Sequence, residues 1–555
     1  MSSELERWVA VAPPLSSRGW SRLVLPSLLP LAALLLYLLH LDRAPHPDEL
    51  YHILAARGLL ETGEPRIGEG LYPRGFLFTW LVAQSFRLFG EGLATARLPS
   101  VLATSLLVLV LFVWVRREAG DLAAGLAAGL YAISPFAVLI AQFCRFYALQ
   151  TLAFILALWL VHDFFRTLAP WPRGLLRLLL AAALVVLATL LQPTTLLGLL
   201  ALASWVAPIL LWRLATPLSH RGRILLLAVV AAAALVLLAT AWALGLIATL
   251  WQQYRAVPVF NAETRDAFWF YHFWYVLLYP TLWPATGLLA LLAWIRSPLL
   301  GSLATVVFAI AFLLNSFAGP KSLRYIAYAQ PLLFVIWGIG LAALFPALRA
   351  WTAELRRAMT GTFAFLNLQA ARLASFVVAC ALGVLVAVNP FWLRTATVIA
   401  DIPVPPEKPS TDWRLAASAL APWIARVDVV VATEELAPLY FLGRADIVHS
   451  RSKLNELPAT ERRDFGRDPR TGRPVIGSLE ALERVLDCYP SGLMLAPAYH
   501  LGVPHQLGPE VLALLATRAE RLSLPERAHA LAWIWQHAEP RLDPSRCTDL
   551  PVFRP

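Results

Sequence analysis

Charge is what this sequence has least of. Asp, Glu, Lys and Arg together make up only 15% of its 555 residues, while 59% are hydrophobic. Soluble chains of this size carry about 25% charged residues, and the uncharged runs here recur at lengths that cross the roughly 30 Å hydrocarbon layer of a bilayer. The sequence also has no Walker loop, no HExxH, no paired CxxC and no GxSxG. Those absences remove the local signatures of P-loop phosphate binding, zinc proteolysis, thiol-pair sites and serine hydrolysis. There is no internal repeat and no low-complexity tract. Only four cysteines occur. Cys380 lies in an apolar run and reads as a small hydrophobe. Cys488 and Cys547 fall in the polar C-terminal region, where a disulfide can persist if that region lies outside; the sequence leaves their bonding open.

Eleven stretches read as membrane spans: 23–41, 98–115, 122–144, 146–161, 174–192, 194–212, 224–248, 270–295, 298–317, 325–348 and 373–393. Several are Leu- and Ala-rich with no period, as expected of helices that are apolar all round. The first has no small-residue cleavage site after it and reads as a signal anchor that keeps the N-terminus inside. Arginine falls in every second loop: Arg7, Arg18 and Arg22; Arg116 and Arg117; Arg166, Arg173 and Arg177; Arg213, Arg221 and Arg223; Arg296; and Arg349, Arg356, Arg357 and Arg372. This positive-inside pattern makes the alternate loops external. It also accounts for the net charge of +11: from Arg394 onward 19 basic residues meet 20 acidic ones, leaving 27 against 15 in the membrane part. The basic excess is a topology signal and implies no nucleic-acid partner.

The expected architecture is a polytopic α-helical membrane domain over 1–393, with about 11 to 13 spans, followed by an external soluble α/β domain over 394–555. Residues 42–97 form a first external loop too long for a turn. Within it, 49–62 starts after Pro47 with Asp48 at an N-cap-like position and stops at Gly63, and 76–89 is apolar but short, an interfacial or re-entrant helix. A second external loop over 251–271 carries Arg255, Glu263 and Tyr271, and a third over 319–324 carries Lys321 and Arg324 against the positive-inside trend. In the C-terminal region, 427–432, 439–442 and 493–496 read as strands, 478–487 and 510–523 as helices, and 451–474 as a long surface loop.

Two sets of residues could carry chemistry. The first is the acid pair Asp48-Glu49 in HPDELYH: an outward carboxylate can act as general base on a hydroxyl. The competing reading makes Asp48 a helix cap and Glu49 a first-turn acid. The second is a set of external cations, Arg74, Arg97, Arg145, Lys321 and Arg324. An Arg fork suits phosphate oxygens, although single cations can also snorkel to headgroups. His46 and His52 lie beside the acids but two histidines make a weak metal motif.

HPDELYH after the first span, then YPRGFLFTWLVAQSFRLFG, then ATARLPSVLA leading into the second, resembles the start of GT-C superfamily membrane glycosyltransferases. The resemblance is to glycosyltransferase family 39, which includes protein O-mannosyltransferases and lipid A aminoarabinose transferases. It implies that Asp48, with Glu49 beside it, is the acid-base residue. It implies that Arg74 contacts the lipid phosphate in place of a Lys-Pro-Pro-like segment, and that Arg97 to Ser100 match an Arg-Leu-Pro-Ser motif. SPFAVLIAQFCRFYALQT, with Arg145 and Tyr147, and KSLRYIAYAQPLL, with Lys321 and Arg324, resemble two further family segments. The family's acid before the Arg is missing here, where Phe143 and Cys144 stand, so a second carboxylate and a carboxylate-bridged divalent metal are not supported.

What the resemblance implies is a hexosyl- or pentosyltransferase of the inner membrane that needs no cofactor. It would move a sugar from a polyprenyl-phosphate donor to an acceptor glycolipid or protein at the outer face, by a single inverting displacement among membrane lipids. Arg255, Glu263 and Tyr271 would line the acceptor loop. The rival class is a polytopic transporter or lipid flippase, which would place ionisable residues mid-membrane and break spans in matched halves. The acids lie outside the span centres instead.

Overall fold

The structure, a computed structural model, describes residues 21–167, 171–255, 267–344, 390–404, 407, 409–542, 545, 547–548 and 550–551. Glu263, Cys380 and most of the span expected over 373–393 lie outside the described residues. Six described helices are long and apolar enough to cross a membrane: Leu93–Ala119, Tyr147–Thr167, Pro172–Leu191, Thr195–Ala215, His220–Ala243 and Pro298–Phe317. Shorter apolar helices are Ser27–Tyr37, Phe76–Phe89, Thr286–Arg296 and Gln330–Leu344. The chain is a multi-pass membrane protein. Helix is imposed on such segments because a backbone in hydrocarbon must satisfy its own N–H and C=O groups. His220–Ala243 buries no residue against the protein, in keeping with its unbroken Leu, Ala and Val surface.

Several arginines of the basic loops sit in the last turns of their helices. Arg116 and Arg117 end one helix, Arg166, Arg213 and Arg296 the ends of three others. There they favour the negative end of the helix dipole. Acids beside them are paired: Arg117 lies 2.5 Å from Asp163 and Arg166 lies 3.0 Å from Glu118.

Two expected spans are broken, each at proline. Residues 122–144 form Asp121–Ala132 and Pro135–Ala141, bent by 61°, because Pro135 cannot continue the hydrogen-bond ladder of the first helix. Residues 270–295 form Phe270–Leu278 and Thr286–Arg296, with Pro280 and Pro284 in the gap.

The chain divides into two compact units. One holds Met1–Leu39, Val101–Ala141 and Tyr147–Ile399, and the other His40–Ser100, Gln142–Phe146 and Ala400–Pro555. The first external loop, read from sequence as part of the membrane domain, thus packs with the C-terminal domain.

In this second unit, β1 (Arg66–Ile67) and β2 (Gly70–Leu71) make a short hairpin. The C-terminal domain is a seven-stranded sheet of β3 (Val429–Ala432), β4 (Ile447–His449), β5 (Gly466–Arg467), β6 (Pro474–Ile476), β7 (Ser491–Pro497), β8 (Glu520–Leu522) and β9 (Ala530–Gln536) in the order β5-β6-β4-β3-β7-β9-β8. The four strands β6, β4, β3 and β7 run parallel, and β5, β9 and β8 join antiparallel. Helices Leu479–Cys488 and Pro509–Arg518 cover one face, Leu482, Val485 and Leu515 packing on Val429, Val431 and Met494.

Two local readings are corrected. Residues 439–442 belong to a helix, Leu436–Phe441, since a four-residue apolar run fits a buried helix turn as well as a strand. Residues 451–474 are no surface loop: they hold the helix Arg451–Glu456, strand β5 and the start of β6, and their buried acid Asp468 is paired with Lys453 and Arg470. Strand β9, whose register with β7 runs over seven residues, has no counterpart in the sequence reading.

Cys488 and Cys547 are bonded, with Cα atoms 5.9 Å apart and a sequence separation of 59. Closing a loop of that length in the unfolded chain is worth about 4 kcal/mol. Replacing both cysteines by serine should therefore lower the unfolding temperature of the purified protein and speed proteolysis of the C-terminal region; an unchanged melting curve would contradict this.

Candidate active site

The helix Pro47–Thr62 carries the acid pair, and its N-terminus sets the site. His46, in extended conformation, is the N-cap: its Nδ1 accepts from the Asp48 N–H at 3.1 Å, and its own N–H donates to Glu49 Oε1 at 2.9 Å. Pro47 occupies the first turn, where its missing N–H costs nothing. Gly63 closes the other end at φ 80° and donates to Leu59 O. Capping duty thus falls on His46 and Glu49. Asp48, expected at the cap, is at the next position but one, with 28% of its side chain exposed.

Glu49 has the opposite fate. It is 2% exposed and receives four donors: the His46 N–H, Arg97 Nη2 at 2.8 Å, Arg97 Nε at 2.8 Å and the Cys144 N–H at 2.8 Å. Burial by itself would raise this carboxyl, but the Arg97 charge and the hydrogen bonds outweigh it and hold the group below the usual carboxylate range. Arg97, fully buried, spends its remaining donor on Leu41 O at 2.7 Å and Arg43 O at 3.0 Å. Both residues are therefore engaged within the fold, where the sequence reading placed Glu49 with the chemistry and Arg97 on the donor.

Arg145 comes from Gln142–Phe146, the segment released by the break before Pro135. Its Nη1 donates to the Asp48 carbonyl at 2.9 Å and to the Tyr72 hydroxyl at 3.1 Å. Its guanidinium lies 4.9 Å from the Phe146 ring centre, and that of Arg74, which is exposed, lies 5.4 Å from the same ring. Gly75 allows this approach: at φ 63° its added Cβ would meet Phe146 at 2.7 Å. At the centre is His52, fully buried, ringed by Tyr72, Phe78 and Phe146, with Nδ1 2.8 Å from Thr79 Oγ1. Burial first, then the charges of Arg145 and Arg74, push its pKa well down, with Asp48 opposing. Among the described residues no three His, Cys, Asp or Glu side chains gather as a metal site.

The other candidate residues lie in the helical unit and form their own cluster. Lys321 is buried and donates to Asn315 O at 3.2 Å and Ser316 O at 2.5 Å. Arg255 donates to Phe317 O at 2.7 Å. Both cations thus meet the C-terminal end of Pro298–Phe317, where orphan carbonyls and the helix dipole favour positive charge. This is a partner for the cation that breaks the positive-inside trend. Lys321 also lies 6.0 Å from the Tyr271 ring, whose hydroxyl donates to Ser322 O at 3.0 Å. Arg324, half-buried, lies 5.9 Å from the ring of Tyr147.

Sequence reasoning missed the residues that join the first loop to the C-terminal domain. Tyr51 stacks on Tyr72 with ring centres 4.9 Å apart, and Arg470 and Lys453 approach its ring to 5.4 and 6.0 Å. Arg470 pairs with Asp468 through two bonds of 3.0 and 3.1 Å, and Lys453 pairs with Glu435 and Asp468. Burial would discharge Lys453, but Glu435, then Tyr51 and Asp468, keep it protonated. Leu71 N–H donates to Pro469 O at 3.0 Å. Gly70 has no room for a side chain there: its Cβ would lie 2.4 Å from the Arg470 backbone. The turn Arg470-Thr471-Gly472 was visible in sequence, but nothing in it names Tyr51 as its partner.

Residues 73–242 match the family described as dolichyl-phosphate-mannose-protein mannosyltransferase, a stretch that includes Arg74, Arg97, Arg145 and Tyr147. No curated protein matches the chain by sequence. Among solved structures the chain is similar to ArnT from Cupriavidus metallidurans bound to undecaprenyl phosphate, with 16% identity and a TM-score of 0.57 over 93% of this chain and 98% of that one. It is also similar to the archaeal oligosaccharyltransferase AglB from Archaeoglobus fulgidus, in complex with an inhibitory peptide and a dolichol-phosphate. There the identity is 14% and the TM-score 0.56, over 91% of this chain and 73% of that one. At such identities the likeness is one of fold.

The two neighbouring acids should separate in a stability experiment. Glu49→Gln leaves the buried Arg97 charge without its counter-ion and should cost about 3–5 kcal/mol. Asp48→Asn, on a half-exposed first-turn acid, should cost less than about 1 kcal/mol. Thermal unfolding in detergent measures both, and equal losses would refute the division. Because the Glu49 pKa in the folded protein lies below its ordinary value of 4.5, its stabilisation is complete above that value and is lost as pH falls through the depressed one.

Proposed function

We propose that this protein is a glycosyltransferase that moves a sugar from a polyprenyl-phosphate donor to an acceptor hydroxyl at the outer face of the membrane, with Asp48 as the general base. The observation that carries this reading is the division of labour at the start of the Pro47–Thr62 helix. His46 caps it and Glu49 is consumed by Arg97, so the carboxylate that remains partly exposed at the helix's positive end is Asp48. The dipole there stabilises the ionised form that a base requires. The GT-C fold and the match over residues 73–242 support the same class of reaction. ArnT binds undecaprenyl phosphate and AglB binds a dolichol-phosphate; a lipid-linked donor for this chain is consistent with both.

In the step we envisage, Asp48 takes the proton of the acceptor hydroxyl as its oxygen attacks the anomeric carbon. The bond to the phosphate oxygen breaks on the opposite face, so the configuration inverts. Polyprenyl phosphate leaves with one more negative charge, which a cation aimed at that oxygen stabilises. Arg74 is assigned that role because it is exposed, whereas Arg145 is held by Tyr72 and the Asp48 carbonyl. Arg145 then orients the backbone that carries the base. The bonded Cys488–Cys547 pair favours an external C-terminal domain, hence a cytoplasmic N-terminus in an inner membrane.

The test uses the purified protein with a panel of undecaprenyl-phosphate monosaccharides and an envelope extract from cells that lack it. Asp48→Asn should reduce transfer by roughly 10²–10⁴-fold with little loss of thermal stability; turnover at the wild-type rate would sink the assignment. Arg74→Ala should raise the half-saturating donor concentration more than that of the extract. Transfer should persist in EDTA, since the step as drawn uses only side chains; loss of activity restored by a divalent metal would overturn that part.

A further inference from the structure

The sheet of the C-terminal domain reverses direction at β3. From β3 the chain moves outward through β4 to β6, then returns to lay β7 on the other side of β3. In an open α/β sheet such a reversal leaves a crevice outside the carboxyl ends of the two strands, because the connections that follow them run to opposite sides. The residues leaving β3 are Thr433, Glu434 and Glu435, and those leaving β7 are Ala498, Tyr499 and His500. They are tied across the gap. The Tyr499 hydroxyl donates to Glu434 Oε2 at 2.6 Å, and Thr433 Oγ1 lies 2.8 Å from His500 Nδ1. Thr433, Glu435 and His500 are buried, while Glu434 and Tyr499 are only half-buried.

This crevice borders the helix that carries the proposed base. The Leu436–Phe441 helix that follows β3 packs against the Pro47–Thr62 helix. Glu435, next to Glu434, pairs with Lys453, whose ammonium lies 6.0 Å from the ring of Tyr51, three residues after Asp48. Burial is the main reason that Glu434 is pushed up to about 7 and that the Tyr499 phenol is pushed up as well.

The transfer step uses neither group, and their chemistry limits what they can bind. Strand β3 is paired on both sides, by β4 and β7, and β7 by β3 and β9. No backbone edge is left at this point for an extended peptide to join the sheet. What is offered is a carboxyl and a phenol in hydrogen-bond contact, a spacing that suits two neighbouring hydroxyls of a sugar ring. A phosphate or carboxylate placed there would meet the adjacent acids Glu434 and Glu435. We infer that the crevice at the carboxyl ends of β3 and β7 is the acceptor subsite, where Glu434 and Tyr499 hydrogen bond hydroxyls of a neutral saccharide and so present the next hydroxyl to Asp48. The inference rests on Asp48 being the base. It gives the C-terminal domain a direct part in acceptor choice.

The experiment uses the full-length protein, an undecaprenyl-phosphate sugar that supports turnover, and the same envelope extract titrated as acceptor. Wild-type transfer that is lost in Asp48→Asn establishes the underlying reading; no transfer by wild type, or retention in Asp48→Asn, is failure of that reading. Given the former, Glu434→Gln and Tyr499→Phe should each raise the half-saturating extract concentration about tenfold, the loss of one hydrogen bond to substrate, with donor half-saturation and melting temperature unchanged. Periodate treatment of the extract, which cleaves vicinal diols, should abolish transfer. An unchanged extract dependence in both variants, or a shift in donor dependence alone, overturns the subsite. Transfer that survives periodate overturns its assignment to a saccharide.

Discussion

The site depends on one buried ion pair. Glu49 and Arg97 meet through two hydrogen bonds of 2.8 Å at 2% and 0% exposure, and every remaining bond they make reaches a different part of the chain. Glu49 takes the N–H of His46 and of Cys144; Arg97 takes the carbonyls of Leu41 and Arg43. Three regions far apart in sequence are thereby fixed to one another: the stretch from the exit of the first helix to the start of the Pro47–Thr62 helix, the start of Leu93–Ala119, and the loop at Cys144. A pair this deeply desolvated is tolerable only because its hydrogen-bonding capacity is so fully used. Its consequence for chemistry is indirect. By taking Glu49 out of solvent it leaves Asp48 as the accessible acid and fixes the backbone on which Asp48 is mounted.

A second contact carries the same backbone into the C-terminal domain. Tyr51 is stacked on Tyr72 and approached by Arg470 and Lys453, whose charges are balanced by Asp468 and Glu435. Tyr72 in turn accepts from Arg145, which also holds the Asp48 carbonyl. An unbroken chain of contacts therefore runs from the turn at 468–472 to the proposed base. The grouping of His40–Ser100 and Gln142–Phe146 with Ala400–Pro555 is the same fact at the scale of the fold. Under the proposed function, this grouping brings the C-terminal domain to the helix that carries Asp48.

Much of this was legible beforehand, for identifiable reasons. The spans were visible because hydrocarbon forces a long uncharged run wherever the chain crosses it. The helix after Pro47 was visible because proline before an acid pair, and glycine at the end, are local signals. The reading failed where the deciding neighbour is distant. Asp48 and Glu49 are adjacent, both acidic and equally suited to a first helical turn; only Arg97, 48 residues later, assigns one to structure. Lys321 resembled a phosphate ligand until the carbonyls of Asn315 and Ser316 were seen around it. Residues 439–442 could be strand or helix on their own evidence, and the turn at 470–472 looked like surface because the hairpin that covers it comes four hundred residues earlier.

The sequence alone determined that the chain crosses a membrane many times, that its arginines cluster in alternate loops, and that the first long loop holds an acid pair among cations. These are properties of composition and near-neighbour order, set by the cost of moving charge and unpaired backbone into lipid. Tertiary structure alone decided which acid is accessible, which cations are already committed to carbonyls or carboxylates, and which part of the C-terminal domain packs on the Pro47–Thr62 helix. Those outcomes depend on desolvation and on hydrogen bonds between segments remote in sequence, and a side chain's charge becomes chemistry only after its partners have been counted.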